Sequence, residues 1–233
     1  MLRQEQIEQM QKQLQDRGRA LNNLTTRLEG KISTERERLN AALKKRLSES
    51  DSGEERGAVL AVMGKADAGQ LSELRRKLVP ESEGQRQGIL AVLPEYEANI
   101  EATRELYVSP IQVLSRQGLG TPERSQYQQQ LAGAGPAELA SSAKLALTTG
   151  DRVLAAAVLV TADRDRKKYA QFDRAGFAEL VVGQEVAAMR DQLDALALSI
   201  KSMRVVNRSF EQGRSHPTDK IELGLAKRRL AHE

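Results

Sequence analysis

The sequence predicts an all-α fold in which long coiled-coil-like helices at the two ends flank a bundle of short helices. Apolar residues recur at helical spacing over both ends of the chain. Ala, Leu, Gln, Glu and Arg dominate, whereas there are only four Tyr, three Phe and no Trp. The middle is punctuated by proline and glycine. With so few aromatics the helices are expected to bury themselves by bundling or oligomerising rather than around a thick core.

Residues 2–48 read as one helix of ~70 Å at about 1.5 Å per residue. Its seam runs through Ile7, Met10, Leu14, Leu21, Leu24 and Leu28, with glutamines alternating around it from Gln4 to Gln15. Arg17 falls on a seam position, and Gly18 and Gly30 weaken the helix. Beyond Leu28 the spacing changes to Ile32, Leu39, Leu43 and Leu47, which introduces separations of eleven residues. An eleven-residue repeat untwists a left-handed supercoil, so the coil is expected to straighten there or change partners.

Ser48 to Gly53 is a polar break. Residues 53–150 then hold most of the glycines and five of the six prolines, and read as about five or six short helices. Pro94, Pro110, Pro122 and Pro136 each suit a first helical turn, Ser109 and Thr121 suit N-caps, and Gly118, Gly133 and Gly150 suit exits. Arg56-x-x-Val59-Leu60-Ala61-Val62-Met63 recurs as Arg86-x-x-Ile89-Leu90-Ala91-Val92-Leu93, the pattern of a duplicated helix or of chance in an Ala/Leu/Val-rich chain. Asp151 caps an all-round apolar segment, Val153–Val160, which is expected to be the best-buried element.

The last long helix runs from about Asp173 to Glu211, with Gly213 as its exit. Along it Val182, Val186, Met189, Leu193, Leu196, Ile200, Met203, Asn207 and Phe210 follow an unbroken 4-3 spacing. That period keeps an apolar seam on one side only if the helix supercoils against another helix. Val181, Ala188, Ala195, Leu198 and Val205 form a second apolar face. Asn207, at a core-type position, either fixes register against a matched partner or lies in solvent. The tail has a candidate N-cap at Thr218 and ends in Lys227-Arg228-Arg229. The chain therefore divides into a coiled-coil helix (1–48), a short-helix bundle (49–170), a second coiled-coil helix (171–212) and a basic tail (213–233).

Residues 1–47 carry 11 Lys and Arg against 6 Asp and Glu, residues 201–233 carry 8 against 4, and the remainder 17 against 22. Basic ends thus bracket an acidic middle, a balance that suits nucleic acid or head-to-tail self-assembly. With no Cys, disulfides and thiolate metal sites are excluded. The N-terminus has no apolar core of a secretory signal, and the longest apolar run is far short of the ~20 residues that span a bilayer. A cytoplasmic protein, or one assembled into a virion, is expected.

Chemistry-bearing patterns are sparse. Gly57…Gly64-Lys65 has the wrong spacing for a phosphate loop, and Gly118-Leu119-Gly120 lacks the third glycine and the preceding strand of a dinucleotide fingerprint. His216 and His232 stand alone in the tail. Glu95/Glu97, Glu101/Glu105 and Asp191/Asp194 read as solvated helix faces. No catalytic, cofactor or metal residue is assigned. Lys44-Lys45-Arg46 and Lys227-Arg228-Arg229 are candidate phosphate contacts, as are Arg75-Arg76-Lys77 and Arg166-Lys167-Lys168, but no aromatic platform accompanies them.

The Gln-rich N-terminal coil (Gln4 to Gln15), the Ala/Gly-rich segment Leu131-Ala132-Gly133-Ala134-Gly135-Pro136 and the C-terminal coil (Val182 to Phe210) together resemble helical bacteriophage virion proteins of the scaffolding, portal-associated and internal ejection kinds. Bacterial coiled-coil adaptors and secretion stalks share this layout. The resemblance implies multimeric assembly with other structural proteins. The expected function is a non-enzymatic, self-associating assembly protein. Its interface would be formed by the C-terminal seam and by Ile7, Met10, Leu14, Leu21, Leu24 and Leu28, each fully buried large side chain contributing ~1.5–3 kcal/mol. Two rivals remain: a coiled-coil nucleic-acid-binding protein presenting basic ends, and a monomeric adaptor whose terminal helices form an antiparallel hairpin.

Overall fold

The protein is all-α. The computed structural model describes residues 4–213 and 216–232 and contains, among these, no strand. In chain order the helices are α1 (Gln4–Ser48), α2 (Gly53–Leu90), α3 (Leu93–Arg104), a 3-10 turn (Glu105–Tyr107), α4 (Pro110–Arg116), α5 (Pro122–Gln130), α6 (Pro136–Thr149), α7 (Arg152–Arg164), α8 (Arg174–Gln212) and α9 (Pro217–His232). They form two compact units, one centred on Ala98–Ala195 and the other built from Glu5–Glu97 with Leu196–Glu233.

The first unit is organised around α7, as the all-round apolar Val153–Val160 segment predicts. Ala155, Ala156, Ala157 and Val158 are fully buried, and the small alanines let α4, α5 and α6 pack directly on this helix. The first half of α8 adds Phe177, Ala178, Val182 and Val186 to the same cluster. Local signals set the boundaries. The Ser109 and Thr121 side chains accept from the Gln112 and Arg124 amides, and Pro110, Pro122 and Pro136 open their helices. Gly150 ends α6 in the left-handed region. The Asp151 carboxylate then caps α7 by accepting from the Val153 and Leu154 amides.

Gly118, just past the end of α4, has φ +62°, and a Cβ there would lie 2.8 Å from a Val153 methyl. Gly118→Ala therefore combines left-handed strain of ~1–2 kcal/mol with a clash against α7. A fall in melting temperature of several degrees is expected, against less than one or two for Ala at Gly133, whose surroundings are open.

In the second unit α1, α2 and the latter half of α8 form a three-helix layer. Arg17 reaches Gly88 and Ile89, Arg27 reaches Gln85, and Glu29 pairs with Arg75, so α2 runs back antiparallel along α1. Met203 lies beside Gly18, while Phe210 packs with Leu24, Leu28 and Ile32, so α8 runs parallel to α1. This corrects the antiparallel pairing of terminal helices expected of a monomeric adaptor: α2 is antiparallel to both. α9 folds back on α8 through Lys201–Glu222 and Arg208–Asp219. Val205, between those two contacts on the second apolar face of α8, is buried. α9 opens at Pro217, so Thr218 lies inside its first turn instead of capping it.

α2 departs from the expected short helices. It is continuous over 38 residues and passes through Pro80. An interior proline costs ~3 kcal/mol by removing one backbone bond and crowding the preceding turn. The packing of Leu71, Leu74, Leu78 and Ile89 in the layer with α1 and α8 outweighs that cost. The two copies of the Arg-x-x-Val/Ile-Leu-Ala-Val motif consequently do not mark two hairpins. One lies near the start of α2, and the other spans its end and the beginning of α3.

Candidate interaction surface

Every seam residue proposed for a second subunit is placed inside the single chain. Val182 and Val186 belong to the core of the first unit, with Met189 packed at its edge. Leu193, Leu196 and Ile200 are 0%, 3% and 1% exposed, and Met203 and Phe210 are also buried. Ile7, Met10, Leu14, Leu21, Leu24 and Leu28 are buried as well. The heptad reading was right that a second helix covers the seam, but the chain supplies it. An intersubunit interface built from these side chains is corrected accordingly, because they offer no free surface.

The two polar seam positions have matching partners. Arg17 donates to the Gly88 and Ile89 carbonyls at 3.0 and 2.9 Å, where α2 breaks before Pro94 and leaves carbonyls without helical donors. Asn207 accepts from the Arg86 guanidinium at 2.6 Å and donates to Glu211 at 3.0 Å. Arg86, only 3% exposed, also donates to Glu211 at 2.6 Å and to Ser82 at 3.2 Å. Arg75 and Arg86 both stack on Phe210, 5.4 and 5.5 Å from its ring centre. Asn207 thus fixes register within the chain. Sequence reasoning missed Arg86, whose signal was an Arg three residues before the apolar Ile89-Leu90 pair on the inward face of α2.

α8 ends beside Phe210, level with Leu24–Ile32 of α1. Beyond that level α1 and α2 continue as a two-helix arm joined at Asp51 and Ser52. The change to eleven-residue spacing in α1 coincides with this loss of α8 as a partner. In the arm Leu39 is buried, but Leu43, Leu47, Val59 and Met63 are only half-buried. Leu60 and Val62 are 50% and 70% exposed. Side-chain hydrogen bonds described between residues 33 and 70 are all local, spanning at most four residues.

The candidate cationic clusters differ. Arg75 and Arg76 pair with Glu29 and Glu73, and Arg166 pairs with Asp163. Lys44, Lys45 and Arg46 are exposed on the arm with no ion pair among the described residues. Arg228 is exposed, whereas the side chains of Lys227 and Arg229 lie outside the described residues. The acidic pairs are engaged: Glu97 with Arg204, and both Glu101 and Asp194 with Arg104.

Hollows on the surface hold no assembled reacting set. One of about 610 Å³ is lined by the start of α6 and by residues 167–172. Another of about 380 Å³ lies among Ile111, Ser115, Asp163, Arg166 and Arg174. Among the described residues no three His, Asp or Glu cluster at metal-binding distance, and no helix is long and apolar enough to cross a membrane.

One titratable contact gives a pH signature. The Tyr127 hydroxyl donates to Asp151 Oδ2 at 2.7 Å, and this hydrogen bond holds the phenol above its ordinary pKa of 10.0. The folded chain therefore keeps this proton more tightly than the unfolded chain. The resulting stability is complete below the ordinary value and is lost as pH rises through the raised one. Thermal melts across alkaline pH are expected to fall less steeply in Tyr127→Phe than in the parent.

No protein-family model, curated protein or solved structure matches this chain.

Proposed function

We propose that this chain is a non-enzymatic helical assembly protein that associates through its α1–α2 arm. The single observation that carries this reading is the arm itself, two helices thick where the rest of the layer is three, with Leu60 and Val62 open to solvent. The ordinary use of such a face is to receive another helix. The buried seams contribute by making the arm's base rigid. The Gln-rich coil, the Ala/Gly-rich short helices and the long α8 support a setting among bacteriophage virion proteins, in a scaffolding, internal or DNA-ejection role with other structural proteins. Light scattering over a concentration series tests the reading. A mass rising above 25.7 kDa supports self-association, and a constant monomer mass overturns it in favour of a monomeric adaptor.

A second reading is favoured by Lys44, Lys45 and Arg46, exposed and without described carboxylate partners on the arm. A coiled-coil protein presenting them to nucleic acid would bind DNA with an affinity that falls steeply with salt, by about one power of salt concentration for each phosphate neutralised. Binding that is absent at low salt removes this reading.

A further inference from the structure

We infer that the arm's partner is a second copy of this chain, packed antiparallel on the outward face of α2 about an axis near Ala61; this rests on the assembly reading above. From Gly57 to Gly64 α2 presents eight residues without one polar side chain. Only Val59 and Met63 turn partly toward α1, while Leu60 remains half exposed on the outward side. That side is open: Cβ atoms built at Gly57 and Gly64 meet nothing within 4 Å. A second helix can approach closely there and cover Leu60.

Charge selects the occupant. Glu54 and Lys65 are eleven residues apart, almost three turns, and so lie on one flank of this apolar face. Arg56 and Asp67, also eleven apart, lie on the other flank. Among the described residues none of the four has an ion-pair partner. A copy packed about a two-fold axis reverses the order along the helix while keeping each flank against its own kind. Glu54 then meets Lys65 of the second copy, and Arg56 meets Asp67 of the second copy, on both sides of the axis. A parallel copy in register would instead set like charges against each other. The face is therefore complementary to itself in one orientation.

Because the chain lacks Cys, single cysteines report this geometry without background. Ala61→Cys, beside the axis, is expected to form an interchain disulfide under mild oxidation, whereas Ala66→Cys on the opposite side of α2 is not. Leu60→Asp should weaken association by roughly tenfold or more while Val62→Asp, which points away from the face, leaves it within about twofold. Lys65→Glu should weaken it, and Glu54→Lys together with Lys65→Glu should restore it. Helicity by circular dichroism, unchanged in each variant, shows that folding is not the cause. If the parent exceeds monomer mass but Ala61→Cys fails to cross-link and Leu60→Asp has no effect, the inference falls and the assembly reading stands. A parent that stays monomeric at every concentration overturns both.

Discussion

Replacing Leu193 and Leu196 together by Asp is expected to unfold the protein, not to release well-folded subunits. Both side chains are buried within one chain. Truncating a buried Leu costs ~2–5 kcal/mol, and each introduced carboxylate adds the cost of an unpaired buried polar group. The sum reaches the ~5–15 kcal/mol that holds a typical domain together. Circular dichroism should show a large loss of helix and of the cooperative melt. Leu60→Asp, on the exposed arm, should change stability by less than about 1 kcal/mol. A double variant that keeps its helicity and melting temperature would mean that this stretch of α8 is not packed as described.

The second large effect concerns Arg86, whose nearly buried guanidinium is held by Asn207, Glu211 and Ser82. Replacing both Asn207 and Glu211 by Leu strands the cation. Removing the partners of a buried charge costs ~3–5 kcal/mol, and the half-exposed position of Glu211 places this case at the lower end. Arg86→Met removes the charge while keeping most of the side-chain volume beside Phe210, so its cost should stay below ~1.5 kcal/mol. Urea unfolding of the two variants checks the order. Equal costs, or the reverse order, would show that Arg86 is not desolvated between α2 and α8.

Features encoded by neighbouring residues were legible in the sequence. The polar break after Ser48, the caps at Ser109, Thr121 and Asp151, the buried α7 and the limits of α8 all depend on interactions within one turn. α2 was not legible as one helix, because its continuity through Pro80 is enforced by packing against α1 and α8. Nor was the partner of the α8 seam. A heptad states that a helix is needed opposite Leu193 and Ile200, and the same spacing serves whether that helix belongs to the same chain or another. Arg17 looked like a flaw in α1 for a related reason: the carbonyls it satisfies lie about seventy residues away at the α2–α3 break. The arm's open face on α2 was visible only as an apolar motif, and its exposure follows from where α8 ends.

The pairing of α1 with α8 inside one chain is tested most directly by a disulfide between Gly18→Cys and Met203→Cys in the otherwise cysteine-free protein. A Cβ at residue 18 would stand 4.0 Å from the Met203 side chain, within the reach of a disulfide. Oxidation of dilute protein is expected to give a single-chain species of unchanged mass with both thiols consumed. Covalent dimers formed through these two positions, with no intrachain product, would place the seam between chains and contradict the account.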